Sequence, residues 1–67
     1  MNYTWDDIFD RAEPVVGDDG RWQKVELDLK VGDTIPLPGT TKGPATVETA
    51  GVYRYDIHPS GILLRRV

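Results

Sequence analysis

Residues 52–67 read VYRYDIHPSGILLRRV, and this stretch decides the fold of the chain. Aromatic and branched residues are enriched between Val52 and His58, which is typical of a strand. Pro59 and Gly61 stand where a tight turn needs them, so we predict a hairpin with strands at about 52–58 and 62–67. We expect His58 to pair with Ile62. Alternation of side chains then turns one set toward the core, namely Tyr53, Tyr55, Ile57, Leu63, Arg65 and Val67.

The opposite face of this hairpin is our first candidate binding surface. In the same register it mixes guanidinium and aliphatic groups beside one imidazole, a combination that resembles the centre of many protein interfaces. We predict that this sheet face contacts a partner. Its residues are Arg54, His58, Ile62, Leu64 and Arg66.

Near the start of the chain, apolar residues recur at the spacing of one face of an α-helix. They are Trp5, Ile8, Phe9 and Ala12. Thr4 stands where an N-cap is expected, and Asp7 follows it three residues later, which approximates a capping box. Pro14 cannot donate to a helical ladder and disfavours helical geometry at Glu13. The pattern therefore predicts a helix over about residues 4–13.

A strand is predicted over about residues 21–29. Val25, Leu27 and Leu29 alternate there with charged residues, which indicates a strand with one face in the core and one in water. Trp22 falls in the polar register of this strand. We therefore expect its side chain to cap the sheet edge, to pack beyond a bulge, or to stay partly exposed.

The central part of the chain predicts shorter extended segments at about residues 34–37 and 45–49. Pro36 and Pro38 have no N–H to give to a neighbouring strand, so the first segment should lie at a sheet edge. Residues 39–44 show no periodicity and predict an exposed loop.

Together these elements predict one α+β domain covering residues 1–67. An amphipathic helix should pack on an antiparallel sheet of four or five strands. A small SH3-like half-barrel is one arrangement that fits this pattern.

Composition suits a small globular protein, with 67 residues, 39% apolar and 28% charged. The chain has no cysteine, which excludes disulfides and thiolate metal sites and fits a reducing cytoplasm. No apolar run approaches the roughly 20 residues of a membrane span. Acidic residues also occupy the positions where a signal peptide would need basic and apolar ones. We therefore expect a cytoplasmic protein with no membrane partner.

Charge is distributed unevenly along the chain. Residues 1–33 hold nine acidic and four basic residues, whereas residues 34–67 hold two acidic and four basic ones. Such a cluster solvates a surface, and it can also steer encounter with a basic partner. Our second candidate surface therefore consists of Asp6, Asp7, Asp10, Glu13, Asp18 and Asp19.

The residue types of a nucleophilic triad occur close together as Asp56, His58 and Ser60. Ser60 lies in the predicted turn, however, and no separate element supplies an orienting pocket. Asp18 and Asp19 are adjacent and lack the spacing of a calcium loop. We therefore predict no enzymatic activity, no metal site and no cofactor.

The function predicted from these patterns is binding of another protein, as an inhibitor or regulator, because so short a chain covers an interface more readily than it encloses a substrate. One alternative is a nucleic-acid-binding small barrel that uses Arg54, Arg66 and His58, although the acidic balance disfavours phosphate. Another is an assembly subunit that forms homodimers or larger homo-oligomers, which would cover Ile62 and Leu64.

Overall fold

An antiparallel four-stranded sheet forms the larger part of the fold. The computed structural model describes residues 1–17, 20–39 and 43–67. Within these ranges the strands follow the order β1-β2-β5-β6, and the sheet is not closed into a barrel. Their bounds are Glu13–Pro14 for β1, Gln23–Leu29 for β2, Gly51–His58 for β5 and Gly61–Arg66 for β6. The α+β class and the antiparallel sheet are confirmed.

A second, two-stranded sheet pairs β3, Thr34–Ile35, with β4, Ala45–Thr46. The chain start joins it through a parallel bridge, in which the Tyr3 N–H donates to the Thr34 carbonyl at 2.8 Å. Both strands are shorter than the predicted segments 34–37 and 45–49. On the first strand the reason is Pro36, which has no N–H with which to continue the ladder.

The core lies between the inner face of the large sheet, helix α1 (Trp5–Asp10) and the small sheet. The alternation of buried and exposed side chains predicted for residues 21–29 is confirmed, although the strand, β2, begins at Gln23 rather than at residue 21. Apolar side chains at the alternate positions are buried, and the ladder with β5 sets Val25 opposite Tyr55 and Leu27 opposite Tyr53. The buried core residues are Ile8, Val25, Leu27, Leu29, Ile35, Val47, Tyr55 and Ile57.

Tyr55 occupies the centre of this core and is 2% exposed. Its hydroxyl donates a hydrogen bond to the Pro36 carbonyl at 2.6 Å. The edge of its ring also meets Trp5, with ring centroids 5.6 Å apart. Burial raises the pKa of the Tyr55 phenol to about 12, because the phenolate would lose its hydration.

The helix is shorter than predicted. Thr4 is its N-cap and the capping box with Asp7 is present, but α1 ends at Asp10 rather than at residue 13. Beyond it, Glu13 and Pro14 pair with Lys24 and Gln23 as strand β1. The proline disfavours helical geometry at the preceding residue, and the free edge of β2 offers an extended segment a ladder instead.

The predicted register of the last hairpin is wrong by one residue. His58 pairs with Gly61 rather than with Ile62, so the turn consists of Pro59 and Ser60 alone. The His58 Nδ1 accepts a hydrogen bond from the Ser60 N–H at 3.1 Å, which helps to close the shorter turn.

This shift exchanges the two faces of β6. Ile62 and Leu64 now lie opposite Ile57 and Tyr55 and pack against the core, whereas Leu63 is 63% exposed. Arg65 and Val67, also predicted to face the core, are exposed as well. The observed register is favoured because it places Leu64 opposite the buried Tyr55, where the predicted register would have placed Arg65.

Adjacent leucines in β6 provide a direct test of this register. Leu64→Ser should lower the free energy of unfolding by about 1–3 kcal/mol, because it removes packing and brings a hydroxyl against the core. Leu63→Ser, the matched control on the exposed face, should change it by less than about 0.5 kcal/mol. Chemical denaturation of both variants measures the difference. A larger loss for Leu63→Ser would show that the predicted register holds after all.

Candidate protein-interaction site

Part of the predicted acidic surface is exposed around the N-terminal helix. The side chains of Asp6, Asp10 and Glu13 are exposed. Within the described part of the chain, none of them takes part in an ion pair or a side-chain hydrogen bond. We refer to these three as the free carboxylates. Asp18 and Asp19, which were predicted to extend this surface, lie outside the described residues.

Asp7 has a structural position instead. Its carboxylate accepts hydrogen bonds from the Thr4 N–H at 2.9 Å and from the Thr4 hydroxyl at 3.1 Å. The Asp7 N–H in turn donates to the Thr4 hydroxyl oxygen. These bonds, the backbone one first, lower the pKa of Asp7 below its ordinary value of 3.8. Asp7 therefore fixes the start of the helix rather than presenting a free charge.

An aromatic row runs along the helix beside the carboxylates. The Trp5 and Phe9 rings stack with centroids 6.0 Å apart, and Phe9 is 49% exposed. Since successive helical residues are rotated by about 100°, this row lies next to that of Asp6 and Asp10. One side of the helix thus presents apolar rings and negative charge together.

Trp5 also lines a surface cavity of about 260 Å³ between the helix and the segment after β3. Rings and aliphatic groups form most of its walls. We call this cavity the aromatic groove. It is lined by Tyr3, Thr4, Trp5, Pro36, Leu37, Gly43 and Pro44.

Contacts beneath and beside the aromatic groove hold its walls in place. Tyr55 fixes two of them, since its ring meets Trp5 and its hydroxyl binds the Pro36 carbonyl. The Arg11 guanidinium carbon lies 5.4 Å from the centroid of the Tyr3 ring, a cation–π contact that supports a third wall. The groove is therefore built on the core and is largely formed before any partner arrives.

The predicted sheet-face surface is divided by the observed register. Ile62, Leu64 and Arg66 lie on the inner face, with Arg54 and His58 on the outer one. Leu64 and Arg66 line a second cavity of about 340 Å³ between the two sheets. These five residues therefore do not form a single surface, and the predicted dimer face of Ile62 and Leu64 packs against the core.

On the outer face, the arginines are neutralised locally. Arg54 Nε lies 2.7 Å from one carboxylate oxygen of Asp56, and Arg65 Nε lies 3.4 Å from the other. His58 packs against Trp22 in a tilted arrangement with ring centroids 4.6 Å apart, which explains how an indole in the polar register becomes half-buried. Arg54, His58 and Arg66, the set proposed for nucleic acid, are thus separated or already engaged.

The residue types of a nucleophilic triad lie near one another in the last hairpin. His58 Nδ1 and the Ser60 hydroxyl are 2.7 Å apart, but Ser60 is exposed in a two-residue turn and Asp56 is bound to arginines. Within residues 1–17, 20–39 and 43–67, no group of three or more His, Asp or Glu side chains is placed to hold a metal ion. No helix among them has the length and apolarity to cross a bilayer.

Sequence reasoning did not identify the aromatic groove. Tyr3 precedes the helical pattern, and Leu37 and Pro44 come from segments that were predicted as an edge strand and a loop. The available signal was indirect, because prolines near residue 36 and an aromatic pair at residues 3 and 5 reveal a shared cavity only once β3 is placed beside the chain start.

Comparisons with known proteins find no matching family model, no similar curated protein and no similar solved structure. Any function of this chain must therefore be inferred from its own residues and their arrangement.

The two neighbouring aspartates should differ in acid. The lowered pKa means that the Asp7 carboxylate stabilises the fold above pH 3.8, and that this contribution is lost as the pH falls through the lower, folded-state value. Asp7→Asn should therefore lower the thermal midpoint at neutral pH, with a difference from the unmodified protein that shrinks below pH 3.8. Asp6→Asn, which shares the first helical turn, is the matched control and should change the midpoint less. Equal effects of both variants at every pH would contradict a specific role of the Asp7 carboxylate in stabilising the helix start.

Proposed function

We propose that this chain is a non-enzymatic protein-binding module that engages a larger protein through the surface around its N-terminal helix. The observation that carries this proposal is the juxtaposition on α1 of two free carboxylates, Asp6 and Asp10, with partly exposed aromatic rings. Aromatic residues are frequent anchors of protein interfaces, and they are enriched where binding energy concentrates. On this proposal the protein acts in the cytoplasm as an inhibitor or regulator of its partner.

Electrostatics supports a basic partner. The chain carries a net charge of −3, and the arginines of the outer sheet face are paired with Asp56. Two exposed carboxylates without an ion pair among the described residues, Asp6 and Asp10, lie on the helix, where they would accelerate encounter with a positively charged surface. The exposed ring of Phe9 supplies apolar area that such a partner would cover.

Self-association is a second candidate, favoured by a different observation. Val52, Leu63 and Val67 are exposed large apolar residues on the outer face of the last hairpin, beside the free edge of β6. A second copy could cover them. Light scattering would show this as a particle mass above 7.5 kDa, and Leu63→Ser should reduce that mass.

The predicted arrangement of the sheet as a small SH3-like half-barrel stays a prediction.

Site-specific cross-linking in cells of the natural host tests the main proposal. Phe9 replaced by photoreactive benzoylphenylalanine should form an adduct with a larger protein, and Leu63 replaced in the same way should not. With the captured protein purified, the double variant Asp6→Lys, Asp10→Lys should associate about tenfold more slowly at low salt, because steering is lost.

The control for charge reversal is Asp28→Lys with Glu48→Lys, which changes the net charge equally at exposed positions away from the helix. This control should slow association much less. Adducts formed only through Leu63, or equal slowing by both double variants, would contradict a partner site at the helix.

A further inference from the structure

The size of the aromatic groove limits what it can hold. Its volume of about 260 Å³ lies below the roughly 300–1,000 Å³ of pockets that enclose small-molecule ligands. The groove therefore suits one or two side chains of a larger partner. This inference rests on the proposed protein-binding function and concerns the chemistry of the segment that enters the groove.

The backbone around the aromatic groove disfavours strand addition. Pro36, Pro38 and Pro44 lie on or beside its walls, and none of them has an N–H to donate to an added strand. An extended segment that depends on main-chain hydrogen bonds would find few donors here. A helical segment of a partner would need a longer apolar groove than a cavity of this volume provides. Recognition must therefore come mainly from side chains.

The side chains that line the groove favour proline as the occupant. Tyr3 and Trp5 contribute aromatic rings to its walls, and Pro36, Leu37 and Pro44 contribute aliphatic groups. Aromatic-lined grooves bind proline-rich segments, because the polyproline II conformation is already extended and loses little entropy on docking. The pyrrolidine ring is compact and apolar, so it can pack against an indole and against aliphatic side chains.

Exposed carboxylates on the helix favour a positive charge on the partner residue next to the bound proline. Asp6 directly follows Trp5, and Asp10 lies one helical turn further on, both exposed and without an ion pair among the described residues. A cationic side chain next to the bound proline would meet these carboxylates. We propose that the aromatic groove binds a proline-containing polyproline II segment of the partner protein, with Lys or Arg beside the proline facing Asp6 and Asp10.

Titration calorimetry with synthetic peptides of about ten residues, which span roughly 30 Å in this conformation, tests the proposal. The probe contains several prolines and two arginines. One comparison peptide replaces the prolines by alanine, and another replaces the arginines by glutamate. We expect one probe molecule to bind per chain, the alanine peptide to bind at least about tenfold more weakly, and the glutamate peptide to bind not at all.

Matched variants locate the site. Leu37→Ser should weaken binding of the probe about tenfold by removing one apolar wall, whereas Leu63→Ser, on the exposed outer face, should leave affinity unchanged. Asp6→Lys should weaken it about two- to fivefold at low salt, with a smaller effect at high salt. Asp28→Lys is the charge-matched control away from the helix and should have less effect. Should Leu37→Ser fail to unfold cooperatively, Pro44→Ala replaces it.

Several results would overturn the proposal. These are equal affinity for the proline and alanine peptides, equal weakening by the controls, or no binding of any peptide. Self-association broken by Leu37→Ser would also overturn it by assigning the groove to a second copy. If the probe fails while cross-links through Phe9 persist, the partner site stands and only the proline ligand is wrong. If both fail, the protein-binding function falls as well.

Discussion

The buried side chain of Tyr55 connects three parts of the molecule that share no continuous element. Its backbone belongs to β5, its ring meets the helix at Trp5, and its hydroxyl binds the Pro36 carbonyl at 2.6 Å. Leaving that carbonyl without a donor would cost about 1–3 kcal/mol, a large share of the stability of so small a domain. The groove between helix and β3 exists because Tyr55 holds Trp5 and Pro36 at a fixed separation.

The distribution of charge then determines which surface is available. On the outer sheet face, Asp56 forms ion pairs with both Arg54 and Arg65. Lys24 Nζ lies 3.2 Å from Glu26 Oε1 on the same face. These five charges are thereby paired within the sheet. Asp6 and Asp10 on the helix take part in no ion pair among the described residues, so their field extends to the surroundings. This contrast, more than the overall acidity of the chain, favours a partner at the helix.

Elements with a clear period could be predicted from the sequence. Alternation in β2 identified Val25, Leu27 and Leu29 as core residues, and the cap at Thr4 placed the start of the helix correctly. The inward orientation of Tyr55 also followed from alternation within its own strand. These features depend on local geometry, which a single stretch of sequence contains.

Features that depend on pairing between distant segments could not be fixed in the same way. The helix end was predicted too late because pairing of Glu13 with Lys24 is not visible locally. The last hairpin was placed one residue out of register because Gly61 suits turns of either length. Comparison of the residue opposite Tyr55, which is Leu64 in the observed register and Arg65 in the predicted one, would have favoured the observed register. The aromatic groove could not be predicted because it depends on the bridge between Asn2 and Thr34, and no periodicity in the sequence indicates that bridge.

A titration of the Tyr55 phenol tests most directly whether this side chain is the centre of the fold. With ¹³C in the tyrosine ring carbon that bears oxygen, and Tyr55→Phe to assign the signal, NMR can follow its ionisation while circular dichroism follows folding. The buried phenol should keep its proton above its ordinary pKa of 10.0 and lose it only near about 12. Because the folded-state pKa is the higher one, stability should decline across that interval as the pH rises. Ionisation of Tyr55 near pH 10 with the fold intact would contradict the account.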